Sequence, residues 1–355
     1  MLKRGSTIGI LGGGQLGRMM ATSAAQLGYR CIGYAPEGDN VSGAVSEDFV
    51  TADWDDETAL AAFAGRCDAV TWEFENVPVA TARAIQQAKI FPAPLALETA
   101  QDRLNEKRFV EGLGGRPAAY AKVDTSQDLE AAVDRLGAPG ILKTRRDGYD
   151  GKGQWRIGSA REAAGLRMPE AACIYEAFVE FEAEFSVILV RSRDGEIRFW
   201  DSPRNVHAGG ILASSHYPAG ERIAAQVTEA RELARKVADA LKYVGVLTLE
   251  FFATRDGPIF NEMAPRVHNS GHWTIEGAAT SQFENHIRAV AGLPLGDTRT
   301  TAAAVEMRNI LGADIDSAHA KLGDARVHLH DYGKAEASEG RKMGHMTLVT
   351  LDTRG

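Results

Sequence analysis

Val246-Leu-Thr-Leu-Glu250-Phe-Phe-Ala-Thr254-Arg-Asp-Gly257-Pro-Ile-Phe-Asn261-Glu262-Met-Ala264-Pro-Arg266-Val-His268-Asn269-Ser270-Gly-His272 is the stretch on which the reading of this chain turns. Val246 to Thr254 is rich in β-branched and aromatic residues, and Arg255-Asp256-Gly257 supplies a turn, so a β-hairpin is predicted. A three-residue loop places Glu250 directly opposite Glu262, with both carboxylates on one face of the sheet. At about 5 Å and an effective dielectric near 20, two such charges repel by roughly 3 kcal/mol. A divalent cation between them reverses the sign. Hard oxygen ligands favour Mg²⁺ held jointly by carboxylates and the phosphates of a nucleotide. Two unrelated acids on a solvated hairpin would show the same spacing. The Arg/His/Asn cluster just beyond favours the metal, because an anion-binding group beside a cation suits phosphoryl chemistry.

The bulk properties set wide limits. The chain has 355 residues, enough for two or three domains, with 44% hydrophobic and 25% charged residues, as in a soluble globular protein. Forty basic and 48 acidic residues give a net charge of −8, which argues against a general nucleic-acid or anionic-membrane binder. No apolar run is long enough to span a membrane, and Met1-Leu-Lys-Arg-Gly-Ser leads straight into a strand, so no signal peptide is expected. Cys31, Cys67 and Cys173 are scattered and odd in number. That fits a reducing cytoplasm and excludes a cysteine-based metal site.

Along the first hundred residues strands and helices alternate: strand Thr7–Leu11, helix Gln15–Leu27, strand Tyr29–Tyr34, helix Glu57–Ala64, strand Ala69–Phe74 and helix Val79–Ala88. Such alternation predicts a Rossmann-like parallel sheet with helices on its faces, an α/β unit. Phe91-Pro-Ala-Pro breaks the pattern, and one helix is predicted over Leu97–Gly112. An α+β unit follows, with strand Tyr120–Val123, a helix capped at Thr125/Ser126 and running to Leu136, and strands Gly140–Lys143 and Gln154–Ile157. Glu182–Val190 and Ile197–Trp200 read as antiparallel strands, and Ala224–Leu241 as a helix leading into the hairpin. From Thr301 the chain is Gly-rich with short strands, Ala303–Met307 and Arg326–Leu329, and reads as a small β-rich cap.

Gly12-Gly13-Gly14-Gln15-Leu16-Gly17 satisfies G-x-G-x-x-G between a strand and a helix, with Glu37 about twenty residues on, where a ribose-binding acid would sit. A nicotinamide-dependent oxidoreductase is one reading. The physics is only backbone N–H groups aimed at an anion, so the phosphate of a ribonucleotide substrate serves equally. Lys143 closes a strand and is followed by Gly148-Tyr149-Asp150-Gly151-Lys152-Gly153-Gln154, which suits a flap wrapping polyphosphate or a basic surface loop. Glu176-Ala177-Phe178-Val179 ends a strand, with Glu184 shortly after; such a hinge can offer backbone groups to an adenine edge and a carboxylate to ribose. Lys334 and Gly340-Arg341-Lys342 form a basic patch, either a solvated face or an anion site. His328 and His330 share one side of a strand but lack a third ligand, so packing or surface placement is expected. No G-x-S-x-G or Cys/His arrangement points to a covalent nucleophile.

Taken together these segments resemble the ATP-grasp superfamily, and within it the N5-carboxyaminoimidazole ribonucleotide synthetase family of purine biosynthesis. The most specific pieces are Thr71-Trp-Glu73-Phe-Glu75-Asn-Val, Gly148-Tyr-Asp-Gly-Lys-Gly-Gln and Ala264-Pro-Arg-Val-His-Asn-Ser-Gly-His-Trp. The resemblance implies an ATP-grasp fold in three parts: a Rossmann-like domain over 1–96, an ATP-grasp domain over 97–298 with lobes of about 117–180 and 181–298, and a β-rich domain over 299–355. It implies ATP and Mg²⁺ as cofactors, and aminoimidazole ribonucleotide and bicarbonate as substrates. It also implies a cytoplasmic homodimer. Gly13, Gly14, Gln15 and Leu16 would hold the ribonucleotide phosphate, with Glu73 nearby. Arg103 and Lys143 would contact the ATP phosphates, the Gly148–Gln154 flap (Tyr149, Asp150, Gly151, Lys152 and Gly153 included) would close over them, and Glu176, Ala177, Phe178 and Val179 would read adenine. Glu184 would take the ribose, and His207 and Asn261 would complete the site. Glu250 and Glu262 would carry Mg²⁺. Arg266 and His268 are the candidates for the bicarbonate pocket, and with Lys143 and Asp150 they form the catalytic set. Tyr149, Asp150 and Lys152 would face the imidazole, joined by Asn269, while Lys334 and Arg341 would meet its phosphate.

One departure stands out. Many ATP-grasp enzymes show Glu-x-Asn-x-Arg where this chain has Glu262-Met-Ala264-Pro-Arg266, and Ala264 cannot ligate a cation. Water or Asn261 would have to fill in. The competing readings are a sister enzyme that activates formate and acts on glycinamide ribonucleotide, the oxidoreductase, and a non-catalytic nucleotide sensor. The oxidoreductase leaves the facing carboxylates and the lysine-glycine flap unexplained, and a sensor need not retain both metal carboxylates.

Overall fold

In the computed structural model of the protein, residues 1–38, 40–86, 89–148 and 151–351 are described. The first sheet contains β1 (Thr7–Leu11), β2 (Arg30–Ala35), β3 (Asp48–Thr51) and β4 (Ala69–Trp72), all parallel, in the order β3-β2-β1-β4. β1 and β4 are buried throughout, which is why neither shows the polar-apolar alternation of a half-exposed strand. Helix Gln15–Gln26 buries Leu16, Met19, Met20 and Ala24. The helix expected over Val79–Ala88 ends at Ala84, and residues 87–88 lie outside the described ones.

The second sheet contains β5 (Tyr120–Val123), β6 (Gly140–Thr144), β7 (Gln154–Ile157) and β8 (Cys173–Ala177), antiparallel in the order β5-β8-β6-β7. Helix Ser126–Leu136 starts where the sequence places it, because Thr125 and Asp128 close a reciprocal capping box: Asp128 N–H donates to Thr125 Oγ1 at 3.1 Å, and Thr125 N–H to the Asp128 carboxylate at 2.9 Å. Leu129, Val133, Leu142, Ile157 and Tyr175 give this unit a core of its own.

The third sheet has nine strands: β9 (Ala183–Arg191), β10 (Ile197–Phe199), β11 (Arg204–Ala208), β12 (Ile211–Tyr217), β13 (Gly245–Thr254), β14 (Gly257–Ala264), β15 (Ala304–Leu311), β16 (Val327–Asp331) and β17 (Lys342–Thr350). Its order is β14-β13-β9-β11-β12-β15-β17-β16, with β10 paired to β9. The C-terminal strands are therefore not a free-standing cap. Tyr217 pairs with Val305 and Ser214 with Arg308, so β12 carries the sheet into them. The first and third sheets share a core in which Leu11, Tyr34 and Trp72 pack with Phe185, Leu247 and Phe260. Trp72 Nε1 donates to the Pro265 carbonyl at 2.9 Å across that seam.

Three further local expectations change. The hairpin turn has two residues, since Thr254 pairs with Gly257, and a bulge at Asn261 restores the pairing of Glu250 with Glu262. The helix expected over Leu97–Gly112 is two, Leu95–Ala100 and Arg103–Gly112. Asp102 stands between them as an N-cap whose carboxylate accepts the Leu104 and Asn105 N–H groups at 3.0 and 3.3 Å. The helix expected over Ala224–Leu241 runs from Val227 to Ala240, preceded by a separate turn at Glu221–Ala224.

Candidate active site

Where the sheets meet, a cleft of about 830 Å³ is lined by Gly14, Gln15, Leu16 and Glu73 on one side and by Lys334 and Arg341 on another. Arg103, Gly148, Lys152, Glu262, Arg266, His268 and Asn269 also line it. Residues far apart in the chain are thus brought to one place. Lys143, Glu176, Glu184, His207 and Glu250 lie behind this wall, linked to it by the contacts that follow.

Glu250 and Glu262 face each other across β13 and β14. Arg103 Nη1 donates to Glu262 at 2.9 Å, and Arg103 Nη2 to the Gly148 carbonyl at 3.2 Å, so one guanidinium joins the carboxylate to the flap. Burial pushes Glu250 up to about 7, and the Glu262 charge adds to it. Burial also opposes ionisation of Glu262, but Arg103 prevails and holds that carboxyl well below the usual range. Beneath Glu250 lies a polar chain: Ser186 Oγ donates to it at 3.4 Å, and Asn205 Nδ2 and Ser270 Oγ reach Ser186 at 2.7 and 2.8 Å. Glu250 thus has one hydroxyl bonded to it, the neutral His268 ring 3.9 Å away, and the charge of His207 favouring its ionised form against burial. Two opposed carboxylates suit a hard cation completed by water and phosphate oxygens; among the described residues no group of three or more His, Cys, Asp or Glu side chains is arranged to hold a metal by itself.

Lys143 Nζ donates to Glu176 at 3.0 Å, and Lys107 Nζ lies 3.3 Å from the same oxygen. Lys107 also donates to the Asn261 carbonyl at 3.3 Å, at the bulge that sets the carboxylate register. Glu176 is held down to about 2: burial alone would raise it, but two lysines outweigh burial. Lys143, which shares that single carboxylate with Lys107, is pushed down by burial. The anion is the firm partner of the pair, because it draws on two cations. Glu176 Oε2 is thus taken by the lysines, while its buried Oε1 has no protein partner among the described residues. The Ala177 and Phe178 amides donate to the Ala119 and Pro139 carbonyls at 2.8 and 3.1 Å. His207 Nδ1 sits 2.6 Å from Glu184; burial works against its charge, yet Glu184 and Glu250 raise it above the ordinary histidine range. In the flap, Thr144 N–H donates to the Gly153 carbonyl at 2.9 Å, Gln154 opens β7 opposite Lys143, and Gly151 approaches Gly209. Tyr149 and Asp150 lie outside the described residues.

The glycine-rich loop departs from its expected use. Gly14 N–H donates to Glu73 Oε1 and Gly17 N–H to Glu73 Oε2, the latter at 2.7 Å. A Cβ on Gly14 would lie 2.8 Å from that carboxylate, and one on Gly13 would run into Asn40. The glycines make room for Glu73, whose charge fills the position a dinucleotide pyrophosphate would need. Of the Gly13–Leu16 amides, that of Gly14 is thereby taken by Glu73. Burial raises Glu73 despite those amides.

Arg266 grips Glu75 by Nε and by Nη2 (2.8 Å), and Glu75 is held low, the guanidinium overcoming burial. His268 is pushed down to about 3 by burial and by Arg266, so it is neutral at pH 7. Its Nδ1 lies 2.8 Å from Ser270 Oγ and 3.3 Å from the Ser270 amide nitrogen. Neither amide atom of Asn269 has a protein partner among the described residues, although both are buried in the cleft wall. Lys334 Nζ donates to the Lys342 carbonyl at 2.7 Å. His330 binds Glu276 at 2.6 Å and stacks on His345 with ring centres 4.4 Å apart, a packing role as expected. Sequence reasoning missed Lys107, Glu75 and Glu106, whose carboxylate accepts the Met263 N–H at 2.7 Å. Lys107 had a signal: it follows Arg103 by four positions and so shares its helix face.

Three family models match in succession: a ribonucleotide synthetase preATP-grasp domain over residues 5–101, an ATP-grasp domain over 108–283, and a phosphoribosylaminoimidazole carboxylase C-terminal domain over 305–354. The chain is 50% identical to an N5-carboxyaminoimidazole ribonucleotide synthase of Brucella melitensis, covering 98% of this chain and 97% of that one. The crystal structure of the synthetase from Thermus thermophilus matches at 45% identity and a TM-score of 0.89, over 96% of this chain and 93% of that one. The Aspergillus clavatus enzyme, in complex with ADP and 5-aminoimidazole ribonucleotide, matches at 30% identity and a TM-score of 0.88, over 98% and 94%.

Proposed function

The chain belongs to the N5-carboxyaminoimidazole ribonucleotide synthetase family of ATP-grasp ligases, and on that premise we propose that it carboxylates the exocyclic amine of 5-aminoimidazole ribonucleotide with ATP and bicarbonate, releasing ADP and phosphate. The observation that carries this reading is one cleft with two chemically different ends. At one end Arg103 and the facing Glu250 and Glu262 suit a nucleotide triphosphate with its cation; at the other Glu73, Asn269, Lys334 and Arg341 suit a ribose phosphate. Bicarbonate oxygen attacks the γ-phosphorus, the bond to ADP breaks, and carboxyphosphate forms. The amine nitrogen then bonds to the carboxyl carbon, directly or after release of CO₂; phosphate departs and the amine loses a proton. Mg²⁺, when bound by Glu250 and Glu262, supplies charge neutralisation at the phosphates.

This chain's own residues do the rest. Arg103 and Lys143 orient the polyphosphate, Arg266 offers donors to the small anion beside His268, and the Gly148–Gln154 flap excludes water from a labile intermediate. Domains of 1–96, 97–298 and 299–355 divide the work between the two substrates and ATP. Three free, buried cysteines accord with a cytoplasmic home, and a homodimer is the commonest assembly for such an enzyme. ADP release from MgATP, measured with and without bicarbonate and the ribonucleotide, tests the reading: strong stimulation by both together is expected. Stimulation only by glycinamide ribonucleotide with formate would overturn the substrate. Thermal stabilisation by NADH and not by MgATP would overturn the class.

A further inference from the structure

Arg266 has five N–H donors, and three are already used. Nε–H and one N–H of Nη2 go to Glu75, and one N–H of Nη1 goes to the Val267 carbonyl at 2.9 Å. One donor remains on each terminal nitrogen, and the end fork is the edge of the guanidinium that Glu75 leaves uncovered. Both side chains line the cleft, and both are mostly buried, Arg266 at 14% and Glu75 at 28% exposure. Glu75 is itself held by its backbone. Gln101 Nε2 donates to the carbonyls of Glu75 and Val77 at 2.9 and 2.6 Å, and two residues earlier Glu73 is fixed to Leu11 and to the glycine loop. The strap over 73–77 thus sets Arg266 from the side.

We propose that Glu75 is the positioning residue of the bicarbonate pocket: it occupies the side edge of Arg266, leaves only the end fork to the cleft, and fits that fork to a small planar monoanion. Two parallel N–H groups match two oxygens of a carboxylate-like anion. The Glu75 charge cancels that of the guanidinium locally, so a dianion such as phosphate meets repulsion a monoanion largely escapes. The pocket thereby discriminates between the substrate bicarbonate and the phosphate that the reaction releases. This inference rests on the carboxylase reading above and on Arg266 as its anion group.

The test is steady-state kinetics of Glu75→Gln beside Glu75→Asp and Arg266→Lys, after wild-type ADP release has been shown to need bicarbonate. Gln keeps the shape but sets an amide donor against the guanidinium. We expect the KM for bicarbonate to rise about tenfold in Glu75→Gln, with the KM values for ATP and the ribonucleotide within about twofold of wild type. Inhibition by inorganic phosphate, competitive with bicarbonate, should strengthen in the same variant, and Glu75→Asp should recover part of both effects. An unchanged bicarbonate KM in Glu75→Gln, where Arg266→Lys raises it, overturns the positioning role alone. An unchanged value in Arg266→Lys overturns Arg266 as the anion group. A uniform rise in all three KM values with a lowered Tm would make Glu75 a structural strap only.

Discussion

Replacing Glu262 by alanine is expected to lower ribonucleotide-dependent ADP release by on the order of 10³-fold, while the hairpin stays folded. Two losses combine. The cation site keeps only Glu250, and Arg103, which Glu262 holds at 2.9 Å, is released from the position in which it also ties down the flap through Gly148. Glu250 adds a pH dependence whose sign follows from its surroundings. Burial and the opposing Glu262 charge raise its carboxyl to about 7, so below that pH a cation must displace a proton. The Mg²⁺ concentration needed for half-maximal rate should therefore increase as pH falls from 8 to 6. The stability contribution runs the other way. A carboxyl raised on folding stabilises the free protein below its unfolded value of about 4.5, and that contribution is lost as pH rises through the folded value. Glu250→Gln should consequently be inactive yet melt above wild type at pH 8 without Mg²⁺. Activity of Glu262→Ala above a tenth of wild type would sink the assignment of the pair.

The facing glutamates were legible in the sequence for a reason only partly seen. A three-residue loop predicts their pairing; the observed turn has two residues, and the bulge at Asn261 adds the missing one. A bulge leaves no mark that alternation can detect, yet Lys107 holds the carbonyl of that very residue. Where local signals and tertiary needs agree, prediction is close, as for the Thr125–Asp128 capping box. Where polar groups face inward it fails. β11 and β12 escaped because Asn205 and Ser215 are buried and bonded to each other at 2.9 Å, so these strands lack an apolar stripe. The glycine-rich loop misled differently: its pattern reports close backbone approach, and only the fold shows that what approaches is Glu73. Glu75 was likewise hidden, since its partner Arg266 lies 191 positions away.

Glu176→Gln should be the most destabilising single change in the nucleotide site, by about 3–5 kcal/mol, read as a shift in the denaturant midpoint at constant slope. Lys107 and Lys143 are both buried, and Glu176 is the carboxylate that compensates them at 3.3 and 3.0 Å. A neutral amide leaves two cations in low dielectric with little in return. The same triad spans structure that packs separately. Glu176 sits on β8 of the second sheet, Lys107 on helix Arg103–Gly112, and the Asn261 carbonyl on β14 of the third, so the loss should also raise the KM for ATP. The pH course separates this from a packing defect. A carboxyl held down to about 2 contributes stability above its unfolded value near 4.5 and loses it as pH falls toward 2. Wild type and Glu176→Gln should therefore differ fully at pH 7 and converge in acid. Lys143→Met gives the contrast: Glu176 keeps Lys107, so the fold should lose far less while phosphate contact is lost. A Glu176→Gln penalty below about 1 kcal/mol, or one unchanged between pH 7 and pH 3, would mean that packing rather than this charge cluster joins the lobes.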